Sequence, residues 1–438
     1  MDESFSLSLS EIPQFIEWIT VLPFTIYQIR RKVTQVKIFR HNSKVIEMNF
    51  NEIMDDLFPG ILEISKKIYS FAETGSSEYE SSTVLKKYLE SQNFNVETKY
   101  MDMETAFRSE NGKKGLRIGL LAEYDALPNG HSCGHNLISA WAVGTAAAIN
   151  RIDNDICVTV FGTPSEEGIG PYAGSKCVMA GRGAFKDLDL VIGVHPDDKW
   201  GVGSKALADL TLELRFLGKS AHGADSPDKG INALDAAVAT YNVINSLRGW
   251  AKLDKHLVVG MIFTESGKAT NVVPERATLQ VEMRSTSTRF LSIFEKKVRD
   301  AALGIGEAYG ASVDIEQVTP LYKTYINNNS INHILQENLL KLGISALDEG
   351  IAGGFASGST DEANVSWKVP TGHLDFPIGY PGIAGHSDEF REAADPNKAA
   401  KSLRIAIEAT VLSVLQIKEE NRMGEIKKEF KEGDKDEF

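Results

Sequence analysis

Three short, almost wholly apolar runs set the tightest limit on how this chain can fold. They are Leu116-Arg117-Ile118-Gly119-Leu120-Leu121-Ala122, Ile156-Cys157-Val158-Thr159-Val160-Phe161 and Leu188 to Val194. Runs of this length without polar alternation are strands covered on both faces. Between the first two, Asn136 to Asn150 is small and apolar and reads as a helix packed closely on a sheet. Ahead of them, Ile61, Ile64, Ile68 and Phe71 recur at helical spacing. Strand–helix–strand alternation of this kind predicts an α/β layer structure.

The pattern changes at Ala208. Ala208 to Leu217 alternates apolar and polar residues, so one face is buried and the other wet. A helix is expected over Ile231 to Leu247, strands over Leu257 to Thr264 and Thr278 to Arg284, a helix over Phe290 to Tyr309 and a strand over Ser312 to Gln317. This order is the split βαβ arrangement. It predicts a small domain inserted at about 208–322 between two parts of a larger one, 51–207 and 323–417, which ends in a helix over Lys398 to Ile417. Residues 1–50 form an N-terminal extension. The Lys- and Glu-rich tail, 418–438, is expected to be solvated or frayed.

A length of 438 residues fits two or three domains, and a net charge of −13 argues against nucleic acid or an anionic membrane as a partner. The three cysteines, Cys133, Cys157 and Cys177, are too few and odd in number for a disulfide framework, so a reducing, cytoplasmic setting is expected. Cys157 reads as a buried small hydrophobe. Ile12 to Tyr27 is apolar but interrupted by Glu17 and Pro23, too short for a membrane span and unlike a secretory signal. With the basic cluster Arg30, Arg31, Lys32 and Lys37 it reads as an appended amphipathic segment, with a weak targeting or membrane-surface role as the alternative.

Potential chemistry gathers after the apolar runs. Cys133 and His135 stand two apart in the glycine-rich loop His131-Ser132-Cys133-Gly134-His135-Asn136 and can point at one cation such as Zn, Mn or Co. Glu166 and Glu167 follow the second run, where one suits a metal ligand and the other a general base. His195 follows the third. Ligands for an open α/β sheet lie at the carboxyl ends of its strands, which these positions share. His386, in Gly385-His386-Ser387, can add a last ligand, and Asp125 can hold a ligand imidazole through its other nitrogen.

At these residues the sequence resembles the M20 family of metallopeptidases, in its aminoacylase-like, amidohydrolase branch. The resemblance rests on Asp125-Ala126-Leu127-Pro128, His131 to Asn136, Pro164 to Gly168, His195-Pro196 and Gly385-His386-Ser387. In the inserted region it rests on Gly218 to His222, Gly230 to Ala236 and Asn271 to Pro274. It covers about 51 to 417. It implies a zinc-peptidase-like three-layer catalytic domain and an inserted ferredoxin-like lid and dimerisation domain. It further implies a homodimer and two divalent metal ions per subunit. Cys133, His135, Glu167, His195 and His386 would be the ligands, with Cys133 bridging, and Glu166 the general base. His222 would stabilise the oxyanion, reaching across a dimer interface, and Asn271 and Arg284 would bind the substrate's carboxylate. Ser359-Thr360-Asp361 with Asn364 to Trp367 resembles the subgroup of p-aminobenzoyl-glutamate hydrolases and of a dipeptidase for dipeptides with basic C-termini. Asn136 replaces the branch's usual aspartate, a change that subgroup tolerates.

The expected function is metal-dependent hydrolysis of an amide bond in small dipeptides. N-acyl amino acids and p-aminobenzoyl-glutamate are the alternative substrates, because all three end in an amino acid carboxylate. Two rivals differ in kind. A cysteine hydrolase with Cys133 as nucleophile and His135 as base would leave the glutamate pair without a purpose. A metal-binding, non-enzymatic protein would have no need of both Glu166 and Glu167.

Overall fold

The computed structural model describes residues 50–250, 256–351, 356 and 358–433. The segment expected over Ile12 to Tyr27 and the basic cluster after it lie outside these residues. Among the described residues no helix is long and apolar enough to cross a membrane.

The chain opens with helices α1 (Phe50–Phe71) and α2 (Tyr79–Ser91), followed by strands β1 (Asn95–Thr98), β2 (Phe107–Glu110) and β3 (Leu116–Ala122). Helix α3 (His135–Ile152) leads to β4 (Ile156–Gly162), and α4 (Ser175–Gly181) to β5 (Leu190–Asp197) and the short β6 (Gly201–Val202). A second unit follows: β7 (Ala208–Leu217), α5 (Ala233–Leu247), β8 (Leu257–Glu265), β9 (Arg276–Ser285), α6 (Thr288–Tyr309) and β10 (Ser312–Gln317). The first unit then resumes with α7 (Asn329–Lys341), β11 (Leu347–Asp348), α8 (Glu362–Ser366), β12 (Thr371–Pro377), α9 (Asp388–Ala393), α10 (Pro396–Glu419) and α11 (Met423–Glu432).

The larger sheet has eight strands in the order β1-β2-β4-β3-β5-β12-β6-β11, and β4, β3, β5 and β12 are parallel neighbours. One face carries Ile118, Leu120, Val158 and Ile192 against Ile61, Leu137, Trp141, Ile331 and Leu403 of α1, α3, α7 and α10. The opposite face packs Leu121, Phe161 and Val191 against Met179 and Val365 of α4 and α8. Cover on both faces explains the unbroken apolar runs, and all seven residues of β4 are buried. The smaller sheet, in the order β10-β7-β9-β8, buries one face under α5 and α6 through Leu210, Leu212, Leu214, Leu279, Phe294 and Val298. Its other face stays wet, as the alternation in β7 requires.

Two differences from the sequence reading have physical causes. The third run continues to Asp197 and starts at Leu190, because Asp189 turns aside to accept a hydrogen bond from Arg117 N (2.9 Å). His195 thus sits inside the strand, close to its end, and is rigidly placed. The tail does not fray over its first part: α11 docks by burying Ile426, and Glu429 caps α7 by accepting from Asn329 N (2.7 Å) and Ser330 N (2.9 Å). Met423 packs against the same core and Asn328 Nδ2 donates to Ile426 O (3.0 Å), and none of these contacts stands out in a run of Lys and Glu.

Candidate metal centre

The site is built at the carboxyl ends of β3, β4 and β5. After β3 the chain places Asp125, whose two oxygens do different work. Oδ1 accepts from His135 Nδ1 (2.9 Å) and Oδ2 from the backbone N–H of Glu167 (3.0 Å). One buried carboxylate therefore ties the first loop to the second. Between Cys133 and His135, Gly134 has a φ of +79°, and a Cβ there would come 2.7 Å from Pro196 Cγ. Only glycine fits both the conformation and the space. Past β4, Ser165 also takes a left-handed conformation (φ +57°), and its N–H donates to Glu78 Oε1 (2.9 Å). That turn aims Glu166 and Glu167 into the cavity.

The ring nitrogens are assigned by their partners. His135 Nδ1 donates to Asp125, which leaves Nε2 as the atom that offers a lone pair when the ring is neutral. His195 Nδ1 donates to Pro196 O (2.7 Å), so its Nε2 faces Cys133 Sγ at 3.3 Å with a lone pair too. His386 Nε2 lies 3.5 Å from Glu167 Oε1, and His386 itself is in a strained left-handed conformation (φ +65°). His135 Nε2 and Glu167 Oε1 are buried and lack a hydrogen-bond partner. Cys133, His135 and His195 form one group of donors within 4.8 Å of one another; Cys133, Glu167 and His386 form a second. Cys133 belongs to both. Orphaned, converging lone pairs on sulfur, nitrogen and oxygen suit a divalent metal ion.

Without a cation the local charges are poorly balanced. Burial, then the neighbouring Glu123 carboxylate, holds Glu166 well above the usual carboxylate range. Burial also raises the Cys133 thiol. His135 loses charge preference to burial, but the sulfur of Cys133 and the Asp125 carboxylate outweigh that and raise it well above an ordinary imidazole. A metal would remove this conflict by taking the place of the missing positive charge.

Three residues escaped the sequence reading. Lys176 of α4 is wholly buried, with its ammonium 2.8 Å from Glu123 Oε1 and 2.5 Å from Asp361 Oδ1. Glu123 Oε2 in turn stands 3.5 Å from His135 Nε2, and Glu123, His135 and Glu166 make a third group of convergent donors. Despite burial, Lys176 and His135 hold Glu123 below its ordinary value. The one available signal was a lysine in the helix after the glutamate pair, which in sequence resembles a surface residue. Asn136 is accounted for differently: its Nδ2 donates to Ser65 Oγ (3.1 Å) and Ala394 O (3.0 Å), away from the metal donors. An aspartate could not make either donation.

The cavity over this centre has a volume of about 760 Å³, and its wall includes Cys133, Glu166, Glu167, His195, His386 and Arg284. Arg284 reaches it from the wet face of β9, paired with Glu282 Oε1 (2.8 Å) and Asp209 Oδ2 (3.4 Å). His222 and Asn271 do not line it. They sit together in the smaller unit, linked by the bridge between His222 and Val272 and by Gly223 N donating to Asn271 O (2.9 Å), and both are exposed. His222 Nδ1 accepts from Asp225 N (3.0 Å), which leaves its hydrogen on an outward-facing Nε2.

Residues 202–307 match the model of the peptidase dimerisation domain of M20 proteins. The chain is 32% identical to the Xaa-Arg dipeptidase of Mus musculus, over 87% of this chain and 91% of that protein. It is 28% identical to a p-aminobenzoyl-glutamate hydrolase component of Escherichia coli, over 64% of this chain and 62% of that one. Among solved structures it resembles an aminobenzoyl-glutamate utilization protein from Klebsiella pneumoniae, with a TM-score of 0.69, 16% identity and coverage of 84% and 98%. A dinuclear metal-binding M20 peptidase from Bacillus subtilis matches with a TM-score of 0.60, 18% identity and coverage of 83% and 99%. The chain belongs to the M20 family of metallopeptidases. Within it the chain falls in the subgroup of the two curated relatives above and is a metal-dependent hydrolase of amide bonds in small substrates.

Proposed function

We propose that the chain is a dipeptidase that cleaves the amide bond of small dipeptides with a free carboxylate, and that two divalent ions of the Zn, Mn or Co type serve each protomer. Cys133 would bridge them, with His135 and His195 on one side and Glu167 and His386 on the other. When bound, the ions supply positive charge that polarises the scissile carbonyl and acidifies a water. Glu166 takes a proton from the attacking water and passes it to the nitrogen of the departing amino acid. His222, with its hydrogen on Nε2, donates to the oxyanion, and Arg284 and Asn271 hold the substrate's carboxylate. The single observation that carries the reading is the convergence of Cys133, His135, Glu167 and His195, with Glu166 beside them, at three parallel strand ends, where His386 joins from the loop after β12.

His222 and Asn271 reach a cavity only from a second protomer in this scheme, so the working unit is a homodimer. Support comes from the smaller sheet: β8 is one of its two edge strands, and Val258, Ile262 and Phe263 on that strand are exposed with Val238 and Val243 of α5. Segments 51–207 and 323–417 then act as the catalytic domain and 208–322 as lid and dimerisation domain. A thiol ligand such as Cys133 fits a reducing, cytoplasmic setting. Amidohydrolysis of p-aminobenzoyl-glutamate remains the second reading, favoured by the similarity to the bacterial hydrolase component.

The test is hydrolysis of a panel of dipeptides, N-acyl amino acids and p-aminobenzoyl-glutamate with Zn, Mn or Co added. Highest kcat/KM on dipeptides supports the proposal. Preference for an N-acyl or aryl amide replaces the substrate, and no turnover by the folded, metal-loaded protein removes the enzymatic reading.

A further inference from the structure

Strand β12 brings to the cavity wall a histidine and a carboxylate that hold no metal in the scheme above. His373 Nδ1 is 2.8 Å from Glu362 Oε1, and its Nε2 is 3.1 Å from Asp375 Oδ1. A ring with a carboxylate oxygen on each nitrogen donates from both and is an imidazolium. Glu362 Oε1 also accepts from the Tyr325 hydroxyl (2.7 Å), and a Cβ on Gly193 would come within 2.2 Å of Glu362 Oε2. The fold thus keeps room for this carboxylate beneath the strand that carries His195.

Two carboxylates and one imidazolium leave a negative charge over, and Asp375 presents it to the cavity. Asp375 is 9% exposed and lines the cavity, and its Oδ2 has no hydrogen-bond partner among the described residues. Asp375 is the register partner of His195 across parallel strands, so their side chains share a face one strand apart. On its other side it faces Gly201 of β6, where a Cβ would come 2.9 Å from Asp375 Oδ2. The missing side chain keeps that oxygen clear. Neighbouring charges do not cancel it: Glu349 is paired with Lys199 at 2.9 Å, and Asp197, close by, is another acid. In the cavity wall, Arg284 is paired with Glu282 and Asp209.

We propose that Asp375, steadied by His373 and Glu362, is a subsite for a positively charged group of the substrate, an ammonium or a guanidinium, beside the metal centre. The inference rests on the dipeptidase reading for its reaction, while the binding it claims stands apart from turnover. The charged group has two sources, the side chain of the departing amino acid or the free amine of the acyl part.

Four ligands separate them: alanyl-arginine, alanyl-citrulline, N-acetyl-arginine and N-acetyl-citrulline, citrulline being a neutral isostere of arginine. Hydrolysis is followed with the metal-loaded native protein, and binding of the same ligands by calorimetry with the metal-loaded Glu166→Gln protein. A charge-assisted hydrogen bond predicts a preference of about 10–100-fold for the ligand that keeps the relevant charge. Preference for arginine over citrulline in both series places the side chain at Asp375; preference for alanyl over acetyl with arginine and citrulline equal places the amine there. Either preference should collapse to within about twofold in Asp375→Asn. Affinities that ignore both charges in the unsubstituted subsite overturn the proposal, as does a preference that survives in Asp375→Asn. If the native protein hydrolyses none of the four yet the calorimetric preference appears, the reaction reading fails and the subsite stands.

Discussion

The two sheets of this protein solve the placement of polar chemistry in opposite ways. In the larger one, β3, β4 and β5 are largely apolar on both faces, so ionisable residues stand only near the strand ends. Asp125, Glu166, Glu167 and His195 all stand at that limit. In the smaller one, a half-wet face lets polar residues recur along the strand, and Asp209, Thr211, Glu282 and Arg284 line the cavity from there. The first arrangement gives rigid, buried donors that a metal can organise. The second gives an accessible surface that substrate can meet and leave. The difference predicts that damage to the strand ends abolishes chemistry or folding, whereas damage to the wet face weakens binding.

The largest effect is expected at Glu166. Glu166→Gln should lower kcat by about 10²–10⁴-fold, the usual contribution of a positioned acid–base group, with metal content unchanged by elemental analysis. Loss of metal alongside activity would instead make Glu166 a ligand and remove the distinction between donor and base. Lys176→Met comes next and tests the buried support of the strand ends. It leaves the Glu123 and Asp361 carboxylates buried beside an apolar side chain, and denaturant unfolding should show a loss of about 3–5 kcal/mol. A loss below about 1 kcal/mol would mean that the network does not hold the site.

How much of this was legible in the sequence follows the same division. The buried strands were plain because an unbroken apolar run has few other uses, and β7 was plain from its alternation. Cys133, His135, Glu166, Glu167 and His195 were legible because each sits in a short motif at the carboxyl end of such a run or in the loop that follows it. Lys176, Asp361, His373 and Asp375 were not. Lys176 and Asp361 are charged residues whose burial depends on each other from distant parts of the chain, and β12, which carries His373 and Asp375, has polar residues that spoil the apolar signature. The helical α11 was missed because it is held by a few scattered contacts, Met423, Ile426 and Glu429, within a Lys- and Glu-rich run.

On the wet face, Arg284→Met should reduce kcat/KM by roughly 10–100-fold, mostly through KM, as expected for loss of a charged hydrogen bond to a carboxylate. A fall in kcat with KM unchanged would place Arg284 in the chemistry rather than in binding. An effect confined to stability concerns Glu78, which supports the turn at Ser165. Burial and then the Asp125 carboxylate raise it to about 7. The native state therefore holds this proton more tightly than the unfolded chain, so its contribution is complete below about pH 4.5 and is lost as pH rises through 7. Unfolding free energy from this group should fall by on the order of 3 kcal/mol across that window. In Glu78→Gln the slope should flatten; an identical pH profile would contradict the assignment.

In the proposed reaction, metal ions held at the strand ends, with Glu166 as base, perform the hydrolysis. The most direct measurement is a calorimetric titration of metal into the metal-free protein, with dipeptide turnover followed on the same samples, beside Glu166→Gln. The account predicts that both proteins bind about two equivalents per protomer, with turnover rising on loading in the native protein alone. Turnover that persists in the presence of a chelator, or a Glu166→Gln protein as active as the native one, would contradict it.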